Sequence, residues 1–148
     1  MRNLSVTLAL IGILAGTESR SAAVSTTGAE VEAISRARFK ALIDRDTTYL
    51  KDHYTGDFQA VGSDGRLVGI SFLEWVIRNA PKDANFEPFD YRVMVSADGT
   101  QAVAFHKTHD TWDGQHSDVA YTEVYVRRKG RWLLRFEQYG EIRPPDAS

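Results

Sequence analysis

Residues 93–132 read VMVSADGTQAVAFHKTHDTWDGQHSDVAYTEVYVRRKGRW, a stretch with three glycine-bearing reversals: Asp98-Gly99, Asp113-Gly114 and Lys129-Gly130. Asp-Gly is a strong hairpin signal, because both central residues of a type I′ turn need positive φ. Taken as two-residue loops, the three reversals predict four consecutive antiparallel strands and fix their register. The first turn sets Val93 against Ala104 and Tyr91 against His106. The second sets Ala104 against Glu123 and His106 against Tyr121. The third sets Tyr121 against Gln138 and Glu123 against Phe136. Register decides which face each side chain occupies, and the three hairpins agree.

One predicted face collects Phe89, Tyr91, Val93, Ala102, Ala104, His106 and Thr108, followed by Tyr121, Glu123, Tyr125, Trp132, Leu134, Phe136 and Gln138. It is aromatic and apolar with a few polar groups embedded. The opposite face mixes Arg92, Lys107 and Arg135 with Val103, Phe105, Val124, Val126 and Leu133, and sets Asp90 across from Lys107 as a favourable cross-strand pair. Such alternation belongs to an antiparallel sheet covered on one side. Ala102 and Ala104 leave room in the middle of the covered face, either for a ligand or for a helix.

The 148 residues allow one domain with a real core. Leu4 to Gly16 form a short apolar run after Arg2, followed by Ser21-Ala22-Ala23. The run is too short to span a bilayer, and the pattern is that of a secretory signal peptide over residues 1–23, leaving a single domain over 24–148. An exported protein, periplasmic or secreted, is the expectation; without a working leader it is cytoplasmic. The formal net charge of −2 offers no electrostatic footprint for nucleic acid. The absence of cysteine excludes thiol catalysis and thiolate metal sites. No cofactor signature is present.

Thr27-Gly28-Ala29-Glu30 has the form of a capping box opening a helix, whose apolar stripe is Val31, Ile34, Ala41 and Leu42 with Phe39 on its shoulder. Asp46 caps a short second helix ending at His53. Asp57 to Val61 is a strand, Ser63-Asp64-Gly65 a turn and Arg66 to Val68 its return. Ser71 with Glu74 forms a second capping box, opening a helix that carries Phe72, Trp75, Val76 and Ile77 and stops at Pro81. Trp75 and Trp132 are assigned to the core. Helices precede and stand apart from the main sheet, so the class is α+β.

That order of elements, with Asp57-Phe58-Gln59-Ala60-Val61 before Asp64-Gly65 and the later Tyr121-Thr122-Glu123-Val124-Tyr125-Val126-Arg127-Arg128-Lys129-Gly130-Arg131-Trp132, resembles the nuclear transport factor 2-like superfamily, and within it the SnoaL-like group of small bacterial proteins. The resemblance implies a cone: a strongly curved antiparallel sheet wrapped around three helices from the N-terminal half, enclosing a pocket, often in a homodimer through the outer sheet face. Its members include ketosteroid isomerases, dehydratases, polyketide cyclases and proteins without known chemistry. No subfamily motif aligns residue by residue, so no catalytic role is transferred.

Glu123 and His106 are the sharpest catalytic candidates, lying on adjacent strands of the covered face, diagonal at roughly 7 Å. A carboxylate and an imidazole so placed suit proton transfer beside a carbonyl, with Tyr91 or Tyr121 donating to the developing oxyanion. Asp110 is the alternative acid. Tyr125, Phe136 and Trp132 supply apolar ligand contacts, and Gln138 orients the ligand, a small apolar or aromatic molecule. The competing structural assignment pairs Glu123 with Arg36 or Arg38 and hydrogen-bonds His106 to Tyr91 or Tyr121. His106 and His109 are three apart on a strand, so they face opposite ways and do not share a metal. A non-catalytic protein that binds a hydrophobic ligand, or a dimeric interaction domain, uses the same fold.

Overall fold

The computed structural model describes residues 15–143, with side chains from residue 27 onward. The leader falls largely on residues 1–14, outside the described residues. In chain order the elements are α1 (Ala15–Ile43), α2 (Thr47–His53), β1 (Tyr54–Val61), β2 (Leu67–Gly69), α3 (Ile70–Asn79), β3 (Asn85–Val95), β4 (Gln101–Trp112), β5 (Gln115–Arg128) and β6 (Arg131–Glu141). The strands form one mixed sheet in the order β2-β1-β6-β5-β4-β3. The small β1–β2 hairpin joins the meander through a parallel β1–β6 pairing, with Ala60 beside Glu137. That connection has no local signature, since β1 and β6 are distant in sequence.

Two of the three reversals form as expected. Asp113 (φ 50°) with Gly114 (φ 74°) and Lys129 (φ 51°) with Gly130 (φ 78°) are two-residue loops with positive φ at both positions. At Asp98-Gly99 only the glycine has positive φ, and the loop is longer, closed by the Ser96 N–H donating to Gln101 O at 2.9 Å. Asp98 instead accepts from Ser96 Oγ and the Thr100 N–H. The register survives the change: Val93 pairs with Ala104, Ala104 with Glu123, and His106 with Tyr121.

Two bulges then depart from strict alternation. In β6 an extra residue, Arg135, slips the register, so Tyr125 pairs with Leu134 but Glu123 pairs with Glu137 and Tyr121 with Tyr139. Past a bulge every side chain changes face. Glu137 is therefore buried at 2% exposure, whereas Phe136 and Gln138 belong to the outer side, contrary to the expectation for both. In β3 the residues Asp90 and Tyr91 together oppose His106, with Asp90 at φ 53°. Tyr91 stays inward, but Phe89 turns outward to stack on His109 at 4.2 Å, and Phe86 takes its inward place against Phe39 at 5.8 Å. The Asp90–Lys107 ion pair forms at 2.8 Å despite the bulge.

The helices also differ from their predicted starts. α1 is already helical at Thr27–Glu30, so that tetrapeptide does not begin it; Ala22 and Ala23 just upstream favour helix strongly. α3 opens from Gly69 without a side-chain cap, because β2 runs directly into it, and Glu74 pairs with Arg78 at 3.4 Å instead of capping. Asp46 does cap α2, accepting from the Thr48 and Tyr49 N–H groups. Trp132 is core at 3% exposure, but Trp75 is 56% exposed: α3 buries Leu73 and Ile77, and Trp75 lies on its far side.

α1 lies on the covered face. Val31, Ser35, Arg38 and Phe39 are buried at helical spacing. Val31 shares one apolar cluster with Ala102, Ala104, Tyr125 and Trp132, so the space over the two alanines seats a helix. Burying a side chain such as Phe39 is worth about 1.5–3 kcal/mol. No helix among the described residues is long and apolar enough to cross a membrane.

Candidate functional site

α1 carries Arg38 into the sheet at the level of Glu123 and Glu137. The spacing from Val31 to Arg38 is two helical turns, so a charge sits on the apolar stripe. The guanidinium divides its two ends. Nη2 donates to Glu123 Oε1 at 2.6 Å, and Nη1 lies 2.6 Å from Glu137 Oε2. Tyr125 donates to the second Glu123 oxygen at 2.8 Å. His106 Nε2 lies 3.1 Å from Glu123 Oε1, out of line for a directed hydrogen bond. The imidazole is sandwiched between Tyr91 at 4.5 Å and Tyr121 at 5.1 Å, with Phe39 edge-on at 5.4 Å. Tyr91 is fixed in turn by a 2.9 Å hydrogen bond with Ser35. Arg36, the other cation considered for Glu123, is exposed and pairs with Glu32.

The two glutamates differ in what one cation can offset. Burial opposes the charge of Glu123, but Arg38 and His106 outweigh it and hold that carboxyl at about 2. Burial pushes Glu137 up to about 7, with Arg38 opposing and the neighbouring Glu123 charge adding to the rise. They titrate as a pair in which Glu123 keeps the charge and Glu137 takes the proton first. Arg38 is desolvated too, yet Glu137 and Glu123 keep it firmly cationic.

A cavity of about 550 Å³ opens beside this cluster, between α1, α3 and the ends of β3–β6. Arg38, Glu137, Asp110, Tyr121 and Tyr139 form its polar wall, and Leu42, Leu73, Val76, Phe86, Trp112 and Val119 its apolar one. Tyr121 donates to Asp110 Oδ2 at a long 3.4 Å, while Asp110 Oδ1 is buried without a hydrogen-bond partner among the described residues. Burial raises the Asp110 carboxyl above its ordinary range. Gly62 makes room for Tyr139: a Cβ there would stand 3.1 Å from the phenol oxygen.

Of the candidates drawn from sequence, Glu123, His106, Tyr91, Tyr121 and Tyr125 meet around Arg38, and Asp110 and Tyr121 reach the cavity. Glu123 and His106 have fully buried side chains and, like Tyr125, do not line this cavity; Trp132 borders a separate depression beside His53 and Arg131. Phe136 and Gln138 are displaced by the β6 bulge. Glu137 and Tyr139 were missed for the same reason: Phe136 continues the apolar alternation of Trp132 and Leu134, so nothing local marks the slip. His109 is exposed, bonded to Asp118 at 2.7 Å, on the face opposite His106.

No protein-family model matches the sequence, and no curated protein matches it. Solved structures do match. A candidate dehydratase of the nuclear transport factor 2-like family from Streptomyces avermitilis aligns with TM-score 0.72 at 16% identity, over 81% of this chain and 99% of that one. A nuclear transport factor 2-like protein of unknown function from Pseudomonas putida KT2440 gives 0.68 at 16%, over 82% and 91%. The association domain of C. elegans CaMKII gives 0.70 at 12%, over 79% and 97%. The chain thus has the nuclear transport factor 2-like fold. At these identities the likeness carries the fold alone, and this fold hosts unrelated functions.

Proposed function

We propose that the protein binds a small, largely apolar carbonyl compound in the 550 Å³ cavity and transfers a proton on it without a cofactor, as an isomerase, dehydratase or cyclase does. One observation carries this reading: Glu137, a buried carboxyl pushed up to about 7, lines the cavity and shares the Arg38 guanidinium with an already ionised Glu123. A group poised near neutral pH suits general acid–base work. Glu137 exchanges the proton with the ligand, and Tyr121 or Tyr139 donates to the carbonyl oxygen. Glu123 and His106 act from behind, setting the charge on Arg38's other side; they are positioning residues. A candidate dehydratase among the structural neighbours is compatible with this chemistry.

The test is hydrogen exchange at carbon. The protein is incubated in D2O with a panel of small β-hydroxy and β,γ-unsaturated ketones, followed by mass spectrometry and thermal melting. Deuterium entering beside the carbonyl, and lost in Glu137→Gln, is the expected result. Thermal stabilisation without exchange assigns the cavity to ligand binding alone. Neither effect with any compound removes both readings.

A second reading concerns the outer sheet face. Met94 is 59% and Phe105 38% exposed there, beside the half-buried Val103, Val124, Val126 and Leu133. An apolar patch of this kind suits a homodimer contact.

A further inference from the structure

We propose that the cavity is built for an organic cation, a protonated amine on an apolar body, with its nitrogen held against Asp110 among Phe86, Trp112 and Tyr121. The inference rests on the cavity being a ligand site and is independent of the proton-transfer chemistry. Three observations lead to it.

The first is charge balance. The only strongly buried cation on the wall, Arg38, spends one end on Glu123 and the other on Glu137 at 2.6 Å each. Asp110 and Glu141 line the same cavity; Arg38 acts on Asp110 only through space, without an ion pair, and Glu141 lies 3.8 Å from the exposed Arg143. At the rim Arg66 lies 5.5 Å over Phe72 and 3.8 Å from Asp64, and His116 is engaged with Thr111 at 3.0 Å. The wall thus carries an excess of carboxyl groups, and an anionic ligand would face all of them.

The second is the orphan oxygen. Asp110 Oδ1 is buried with no hydrogen-bond partner among the described residues; the carboxyl is otherwise met by the long Tyr121 bond and by the neighbouring Thr108 hydroxyl. A buried acceptor left unpaired is costly. An apolar group placed against it would seal it in; an ammonium N–H at that end of the ligand would satisfy it with a charge-assisted bond.

The third is the aromatic surround. Phe86 and Trp112 are tilted 49° at 6.3 Å, and Tyr121 and Tyr139 are offset at 5.7 Å, so rings from four strands line the same cavity as Asp110. Aromatic faces attract cations through their quadrupole, most strongly when desolvated. A carboxylate backed by such faces discriminates charge as well as shape.

The test uses three probes of one shape: 2-naphthylmethylammonium, neutral 2-naphthylmethanol and anionic 2-naphthoate, titrated calorimetrically at pH 7. The ammonium is expected to bind about tenfold tighter than the alcohol or better, with the carboxylate weakest. Asp110→Asn should erase that advantage while leaving the alcohol unchanged. Trp112→Leu, at the rim, should weaken the ammonium more than the alcohol. Alcohol binding as tight as the ammonium, tighter carboxylate binding, or an advantage that survives Asp110→Asn overturns the cation assignment and leaves the pocket standing. Failure of all three probes to bind overturns the pocket as well.

Discussion

Replacing Glu137 with glutamine keeps its size and removes its titration. Its carboxyl is moved from an ordinary 4.5 to about 7 by burial beside Glu123. Each tenfold change in proton affinity is worth about 1.4 kcal/mol, so the full displacement corresponds to about 3 kcal/mol. The sign follows from which state holds the proton. Below 4.5 both folded and unfolded chains are protonated at this position and no cost is felt. Between 4.5 and 7 the unfolded chain releases its proton first, and stability falls as pH rises. Above 7 the whole cost is present. Linkage gives about 1 kcal/mol at pH 5 and about 3 kcal/mol at pH 8. Glu123 moves the opposite way, to about 2; its stabilisation is complete above 4.5 and is lost only as pH falls towards 2, outside this window. Glu137→Gln should therefore gain about 2 kcal/mol on the wild type between pH 5 and pH 8, or about 4–8 °C in Tm for a chain of this size. Thermal melts followed by circular dichroism at the two pH values, at constant ionic strength, measure it. A difference that does not change with pH, or one that moves against the variant as pH rises, would refute the claim that Glu137 resists ionisation.

Arg38→Met should cost about 3–5 kcal/mol at pH 8, because it strands two buried carboxylates, and less at pH 5, where they protonate more readily; urea denaturation with a loss under about 1 kcal/mol at pH 8 would show that the guanidinium is not their main counter-charge. If the outer face pairs two copies, light scattering should give twice the chain mass at tens of micromolar, and Phe105→Glu with Met94→Glu should return the monomer without lowering secondary structure; a wild-type monomer at high micromolar concentration removes the dimer.

Much of the fold was legible because its signals are local. Asp113-Gly114 and Lys129-Gly130 need backbone angles that few other pairs supply, and a two-residue loop leaves one register open. Even Asp98-Gly99, which forms a longer loop, preserved the pairing of Val93 with Ala104, since the extra loop residues add in pairs. The meeting of Glu123 with His106 followed from that arithmetic. What failed depends on bulges and on long-range packing. Arg135 and Asp90 carry no composition that marks an extra residue, and the apolar Phe136 and Phe89 continued the pattern on the wrong face. Arg38 was half visible: the i+7 spacing from Val31 puts it on the buried stripe, whereas Arg36 lies off it. The parallel β1–β6 pairing, which sets Ala60 beside Glu137, had no local trace at all.

That slip of one residue in β6 bears directly on function. With an unbroken register Phe136 would lie against Arg38, and the guanidinium would face Glu123 alone, one cation matched to one anion with Tyr125 completing the acceptor. Such a pair is sufficient for a purely structural network, and even then a buried ion pair contributes little net stability. The bulge instead brings in Glu137, whose carboxyl gains only the second end of a guanidinium already neutralised; His106 reaches Glu123 and not Glu137. Desolvation of the added group is then only partly offset, and its carboxyl is pushed up to about 7 as a result. Folding alone would favour an apolar side chain at this position. A carboxyl retained at the wall of a cavity, at a cost to stability and near the pH where it gains and loses a proton with equal ease, fits the proton transfer proposed for that cavity.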